Sequence, residues 1–123
     1  MSDKLQILYV DDEAINLFLF KNLLANHFDV ITVDSAKGGM EVLKENSNIK
    51  LVVSDLKMPE ISGLDFIREA RKLHSNLEYM VLTGYGLNDE IDGAIKEGLI
   101  SNYIQKPYEL EVILEIIKDA IVR

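Results

Sequence analysis

The sequence predicts a three-layer α/β domain built on a parallel sheet of five strands, and three observations carry that expectation. Short β-rich apolar runs alternate with longer amphipathic runs along the whole chain. Three of the apolar runs are unbroken, as strands covered on both faces require. Five βα units in succession imply right-handed crossovers, which put helices on both faces of the sheet. The 123 residues suit one domain spanning 1–123 and leave little room for a second.

The elements follow in order. Strands are expected in "LQILYV" (5–10), "VITV" (30–33), "IKLVVS" (49–54), "EYMVLT" (78–83) and "SNYIQ" (101–105). Helical patterns fill the gaps at 14–26, 36–45, 63–73, 89–97 and 109–122. Asp34 or Ser35 can cap the second helix and Ser62 the third, while Gly98 stops the fourth. In the last helix Val112, Ile113, Ile116, Ile117, Ala120 and Ile121 recur at i, i+3, i+4 and i+7, the helical spacing. The first helix is more apolar than one buried face requires. Ile15, Leu19 and Leu23 form the stripe expected to face the core. Leu17, Phe20 and Leu24 form a second stripe, which is either covered by the fifth helix or left open as a docking surface.

Composition narrows the function classes. At 48% hydrophobic and 28% charged, the chain is that of an ordinary folded protein. It has no cysteine, hence no disulfide and no thiolate metal site. No apolar run approaches the ~20 residues of a membrane span, and "MSDKLQ" lacks the character of a signal peptide, so the cytoplasm is the expected location. A net charge of −8 repels phosphate backbones and argues against direct nucleic-acid binding. Basic or helical protein partners remain compatible with it.

In open parallel sheets the functional crevice lies outside the C-terminal ends of the strands. Asp11 and Asp12 follow the first strand, Asp55 the third, Thr83 the fourth and Lys106 the fifth. Each has an ordinary reading alone: an Asp as a turn former, a Thr as a β-former, a Lys as a solvated charge. Together on one rim they make a site. Two carboxylates about 4 Å apart repel by roughly 4 kcal/mol at an effective dielectric near 20, so a positive partner is expected between them. Clustered carboxylates without Cys or His suit a hard cation such as Mg²⁺. A carboxylate beside Mg²⁺, with Lys and a hydroxyl near, can attack a phosphoryl group and hold it as an acyl phosphate.

The segments "YVDDE", "VVSDLKMPEISG", "VLTG" and "YIQKP", in this order and at this spacing, resemble the receiver domains of bacterial two-component response regulators. The likeness covers essentially all of the chain. It implies a flavodoxin-like sheet of order 2-1-3-4-5 and a signalling domain that assists its own phosphorylation and dephosphorylation, not an enzyme in the usual sense. It implies Asp55 as acceptor of a phosphoryl group from a sensor histidine kinase or histidine phosphotransfer protein, with an output partner of unspecified kind. Asp12 and Asp55 would ligate Mg²⁺ directly, Asp11 largely through water, and Lys57 through its backbone carbonyl. Lys106 would pair with the phosphoryl oxygens, Thr83 would move to bond one of them, and Tyr103 would swing inward as the switch aromatic. The Lys106–Pro107 bond would be cis. Lys57 and Tyr85 occupy the positions that tune how fast water reaches the acyl phosphate. Gly84 stands where many members carry Ala, which implies a looser loop. With no effector following, the chain reads as a stand-alone receiver or one cut from a longer protein.

Rival readings fit less well. A haloacid-dehalogenase-like phosphatase wants Asp-x-Asp, whereas Glu13 occupies the second site. A flavodoxin wants a Ser/Thr/Gly phosphate cradle where this chain has three acids. A pseudo-receiver, a binding module that is never phosphorylated, is the alternative, and intact Asp55, Thr83 and Lys106 count against it. His27 and His74 lack a second ligand at metal spacing and are expected near solvent at helix ends. Met58 and Pro59 read as loop-shaping residues, and Glu13 as a first-turn acid favoured by the helix dipole.

Overall fold

Residues 4–121 are described by a computed structural model, in which strands and helices alternate from β1 to α5. The strands are β1 (Gln6–Val10), β2 (Asp29–Val33), β3 (Ile49–Asp55), β4 (Glu78–Thr83) and β5 (Asn102–Gln105). The helices are α1 (Ala14–Leu24), α2 (Ala36–Glu45), α3 (Gly63–Leu73), α4 (Asp89–Lys96) and α5 (Leu110–Ile121). Expected and observed boundaries coincide for α2, α3 and β4 and differ by at most two residues elsewhere. Residue 122 of the expected last helix lies outside the described residues.

All strand pairs are parallel, in the order β2-β1-β3-β4-β5. This is the flavodoxin-like arrangement. The chain reverses its direction of travel across the sheet between β1 and β3, so the switch point lies between their C-terminal ends. Val10 is in register with Ser54, which brings the ends of β1 and β3 level. Asp55 is in register with Leu82, which brings in the end of β4.

Alternation along the strands sends successive side chains to opposite faces, and two cores result. Leu8, Val10, Val52 and Val81 pack with Leu64, Phe66 and Ile67 of α3 and Ile91 of α4. Ile7, Tyr9, Val53 and Leu82 pack with Phe20 and Leu24 of α1 and Ile113 and Ile117 of α5. Caps set the helix starts. The hydroxyls of Ser35 and Ser62 accept from the N–H groups of Gly38 and Asp65, and the side-chain Oδ1 of Asn88 accepts from that of Ile91. Ser35 rather than Asp34 therefore caps α2. Gly98, at φ +80, closes α4 in the left-handed region that glycine enters without a steric penalty.

The first helix corrects one expectation. Phe20 and Leu24 are fully buried and Leu17 is half-buried against the α5 side of the core. Ile15 and Leu19, expected inside, are 59% and 52% exposed, and Phe18 is 63% exposed. Of the expected core stripe, Leu23 alone packs partly inward. Because α1 is apolar on nearly every side, periodicity could not choose its face. Stacking of Phe20 on Tyr9, with ring centroids 4.0 Å apart, and the apolar stripe of α5 choose it. The second stripe is thus the one α5 covers.

One contact ties α3 directly to the strand before it. A methyl group on Gly63 would lie 2.2 Å from the carbonyl oxygen of Asp55 and 3.1 Å from the Leu56 Cα. Both are backbone atoms and cannot step aside cheaply. Gly63→Ala should therefore cost roughly 1–3 kcal/mol, seen as a lower denaturant midpoint at unchanged slope. A variant as stable as the parent would mean that α3 can lift off β3 freely.

Candidate functional site

The first acid pair sits where β1 ends. Asp11 continues the strand far enough for its N–H to donate to the Val33 carbonyl at 3.2 Å, and it is fully buried. Its Oδ2 accepts from the Tyr9 hydroxyl at 2.6 Å and its Oδ1 from the Glu13 N–H at 3.0 Å. Asp12, next along, is exposed. Glu13 stands at the N-cap of α1, one step before the first turn expected for it, and its side chain makes no capping bond. Its own N–H donates to the Asp11 carboxylate.

Asp55 is the last residue of β3, with its side chain 13% exposed. The Lys106 ammonium donates to its Oδ1 at 3.1 Å. One carboxylate oxygen from each of Asp11, Asp12 and Asp55 lies within 4.8 Å of the others, a group able to hold a metal ion. Burial is the main cause raising the Asp55 carboxyl above its usual range. The Lys106 hydrogen bond and charge pull it down, while the charges of Asp11 and Asp12 push it further up. At such separations each pair of charges repels by about 3–4 kcal/mol at an effective dielectric of 20. A single ammonium at the edge of the cluster does not balance three carboxylates.

Thr83 ends β4, buried, and its Oγ1 accepts from the Tyr85 N–H at 3.1 Å. Its carbonyl accepts from the Lys106 N–H at 2.8 Å, which carries the β4–β5 ladder one rung beyond the strands. The Lys106–Pro107 bond is cis. Tyr103 lies on β5 in register with Val81, its ring half-buried against the α3–α4 side of the core. Lys57 and Tyr85 are both exposed, and the Lys57 ammonium sits 4.8 Å from the centre of the Tyr85 ring, so the loops after β3 and β4 meet.

The structure thus gathers Asp11, Asp12, Asp55, Lys106 and Thr83 on one rim and places Lys57, Tyr85 and Tyr103 around it. His27 is exposed, and His74 caps the end of α3, where its carbonyl accepts from Tyr79. Met58 packs partly inward beside a small hollow of about 160 Å³ that Asp12, Pro59 and Ile61 also line. The residue that sequence reasoning passed over is Tyr9. Its signal was present: a phenol inside an otherwise aliphatic buried strand needs a partner, and Asp11, two residues on, shares its face. Burial first, then the hydrogen bond to Asp11, pushes the Tyr9 phenol well above its usual range, so it stays a donor.

Known proteins match this arrangement over nearly the whole chain. The family model of the response regulator receiver domain matches residues 7–118. The hydrogenase transcriptional regulatory protein HoxA of Bradyrhizobium diazoefficiens is 31% identical over 121 residues, covering 98% of this chain and 25% of HoxA. The chain therefore spans about a quarter of the length of that relative. A chemotaxis protein CheY homologue of Campylobacter jejuni is 29% identical over 121 residues, covering 95% of this chain and 92% of its own. The crystal structure of a response regulator receiver domain protein from Clostridium thermocellum superposes with a TM-score of 0.87 at 36% identity, covering 96% of this chain and 94% of that one. The chain belongs to the response regulator receiver domains of two-component systems. Domains of this family are signalling modules that histidine kinases phosphorylate on an aspartate. Among the described residues no helix is long and apolar enough to cross a membrane.

Proposed function

We propose that the chain acts as one phosphoacceptor switch. Asp55 takes a phosphoryl group from a phosphohistidine on a sensor histidine kinase or histidine phosphotransfer protein, with Mg²⁺ at the acid cluster, and the domain then alters the face it offers an output partner. One observation carries this reading: Asp55 lies 3.1 Å from the Lys106 ammonium and shares the strand-end rim with two further carboxylates. An oxygen of Asp55 attacks phosphorus. The new P–O bond forms as the P–N bond to the donor imidazole breaks, and the electron pair stays on the imidazole nitrogen. The product is an acyl phosphate.

The donor set fits the cation, since every side-chain ligand is a carboxylate oxygen and none is nitrogen or sulfur. Asp12 and Asp55 would hold Mg²⁺ directly and the Lys57 carbonyl would complete the protein ligands. Asp11 would act through water, because both its oxygens already accept protein hydrogens. When bound, Mg²⁺ supplies positive charge for the carboxylates and the incoming phosphoryl oxygens. Lys106 would transfer its ammonium from Asp55 to the phosphoryl group. Thr83 would release the Tyr85 N–H and turn its hydroxyl to the same group, and Tyr103 would follow inward. Lys57 and Tyr85, joined across the opening, would set how easily water reaches the acyl phosphate. Intact mass of the protein treated with acetyl phosphate and Mg²⁺ tests the reading. Gain of one phosphoryl group, lost when the cation is chelated, is expected; no gain would make the chain a pseudo-receiver.

The exposed stripe of α1 supports a docking role. Leu19 and Leu23 line a cleft of about 390 Å³ together with Tyr9, Lys106, Pro107 and Tyr108, so an apolar surface runs up to the lysine that touches Asp55. A helical phosphodonor seated there would face the acceptor. Leu19→Ser should leave stability within about 0.5 kcal/mol, as for a surface position, yet slow phosphotransfer from the partner about tenfold. Acetyl phosphate, which needs no docking, should react at the parental rate. Equal slowing of both donors would remove the docking surface from α1.

A further inference from the structure

We infer that Tyr9 is a positioning residue of the cation site, fixing the Asp11 carboxylate in the orientation that makes the cluster selective for Mg²⁺. The inference rests on the proposed reading of Asp11, Asp12 and Asp55 as a divalent-cation site. Three geometric facts carry it.

First, the Tyr9 ring is held by its neighbours. Its ring is fully buried, stacked on Phe20 at 4.0 Å and 21°, and Phe20 is in turn held edge-on by Tyr108 at 6.2 Å. The hydroxyl is thereby aimed along one line. Second, that line ends on Asp11 Oδ2 at 2.6 Å, a short charge-assisted bond inside the protein. Third, the Glu13 N–H holds the other oxygen, so the carboxylate is gripped from two sides and cannot rotate about its own axis. An ionised carboxylate has about four lone-pair sites. Two are taken by these donors. The remaining two have fixed directions, suited to waters around a cation rather than to direct wrapping of it.

Fixed direction matters to one cation more than to another. Mg²⁺ demands near-octahedral geometry and keeps several waters, whereas Ca²⁺ accepts six to eight oxygens in loose arrangements. A carboxylate locked by Tyr9 should therefore favour Mg²⁺. Loss of groups that orient a metal's surroundings typically weakens affinity 10- to 100-fold. Freed to rotate, Asp11 would still offer its charge to either ion, but not its direction.

The test is calorimetric titration of the parent and Tyr9→Phe with MgCl₂ and, separately, with CaCl₂. Phenylalanine keeps the ring and its stack and removes only the hydroxyl. The Mg²⁺ Kd should rise about tenfold and the Ca²⁺ Kd less than threefold, so the preference for Mg²⁺ falls. Phe20→Leu, which keeps the hydroxyl but loosens the ring, should give a smaller change of the same kind. Ile7→Val, a core trim on the same strand, should leave the ratio unchanged. An unchanged Mg²⁺ Kd in Tyr9→Phe, or an equal rise for both ions, would overturn the positioning role while leaving the cation site standing. Absence of Asp12-dependent Mg²⁺ binding in the parent would overturn the cation site itself, and this inference with it.

Discussion

Asp55→Asn should take up no phosphoryl group from acetyl phosphate and Mg²⁺, and its unliganded form should melt at a higher temperature than the parent at neutral pH. The first outcome follows from chemistry, since an amide oxygen is too weak a nucleophile to displace the leaving group. The second follows from the charge balance of the crevice. Burial, and then the neighbouring acids, raise the Asp55 carboxyl in the folded state despite Lys106. A group raised by folding contributes stability that is complete below its unfolded pKa and is lost as pH rises through the folded value. As pH rises the parent loses that contribution, whereas asparagine has nothing to lose. Melting temperatures of the two, followed from about pH 4 to pH 7, should therefore be closest at the acid end and diverge as pH rises. Phosphoryl uptake at the parental rate by Asp55→Asn would place the acceptor elsewhere. A gap that narrows with rising pH would show that Lys106 outweighs burial.

Asp12→Ala should raise the Mg²⁺ Kd by well over tenfold. Asp12 is the exposed member of the trio, and neither of its neighbours can substitute for it. Asp11 is fixed in direction by the Tyr9 hydroxyl and the Glu13 N–H, and Asp55 is drawn toward Lys106. Removing the charge should also leave the unliganded protein slightly more stable, by about 0–1 kcal/mol, because Asp12 is exposed and its repulsion is screened by water. That gain should shrink in added salt. Affinity for Mg²⁺ unchanged in Asp12→Ala would remove the cation from this rim.

The fold was legible because its signals are periodic and local. "VVSDLK" reads as a buried strand ending in an acid, and β3 ends at Asp55. Ser62 and Gly98 mark helix ends by chemistry that does not depend on the rest of the molecule. The strand-end rim followed from parallel topology alone. The face of α1 was illegible for the opposite reason. Ile15, Leu17, Leu19 and Phe20 are all apolar, so the choice among them is made by what α5 and Tyr9 present, and no local pattern holds that information. The Tyr9–Asp11 bond was hidden similarly. Alternation places both on one face, but only packing against Phe20 decides that the hydroxyl points up the strand rather than away.

The contact of Gly63 with Asp55 has a mechanical consequence. On its α3 side the crevice has a stiff wall: a helix rests its first residue on the carbonyl of Asp55 with no side chain between, so the two must shift as a single body. On its β4 side the packing is more open, which should make that wall the softer one. A Cβ at Gly84 would meet nothing within 4 Å, and Tyr85 and Leu87 beyond it stand in solvent. Force arising at Asp55 divides between two walls according to their stiffness, and displacement collects in the softer one. Any group placed on Asp55 should therefore move the Thr83–Asn88 segment and the start of α4, while α3 stays still as the anvil against which that movement is made.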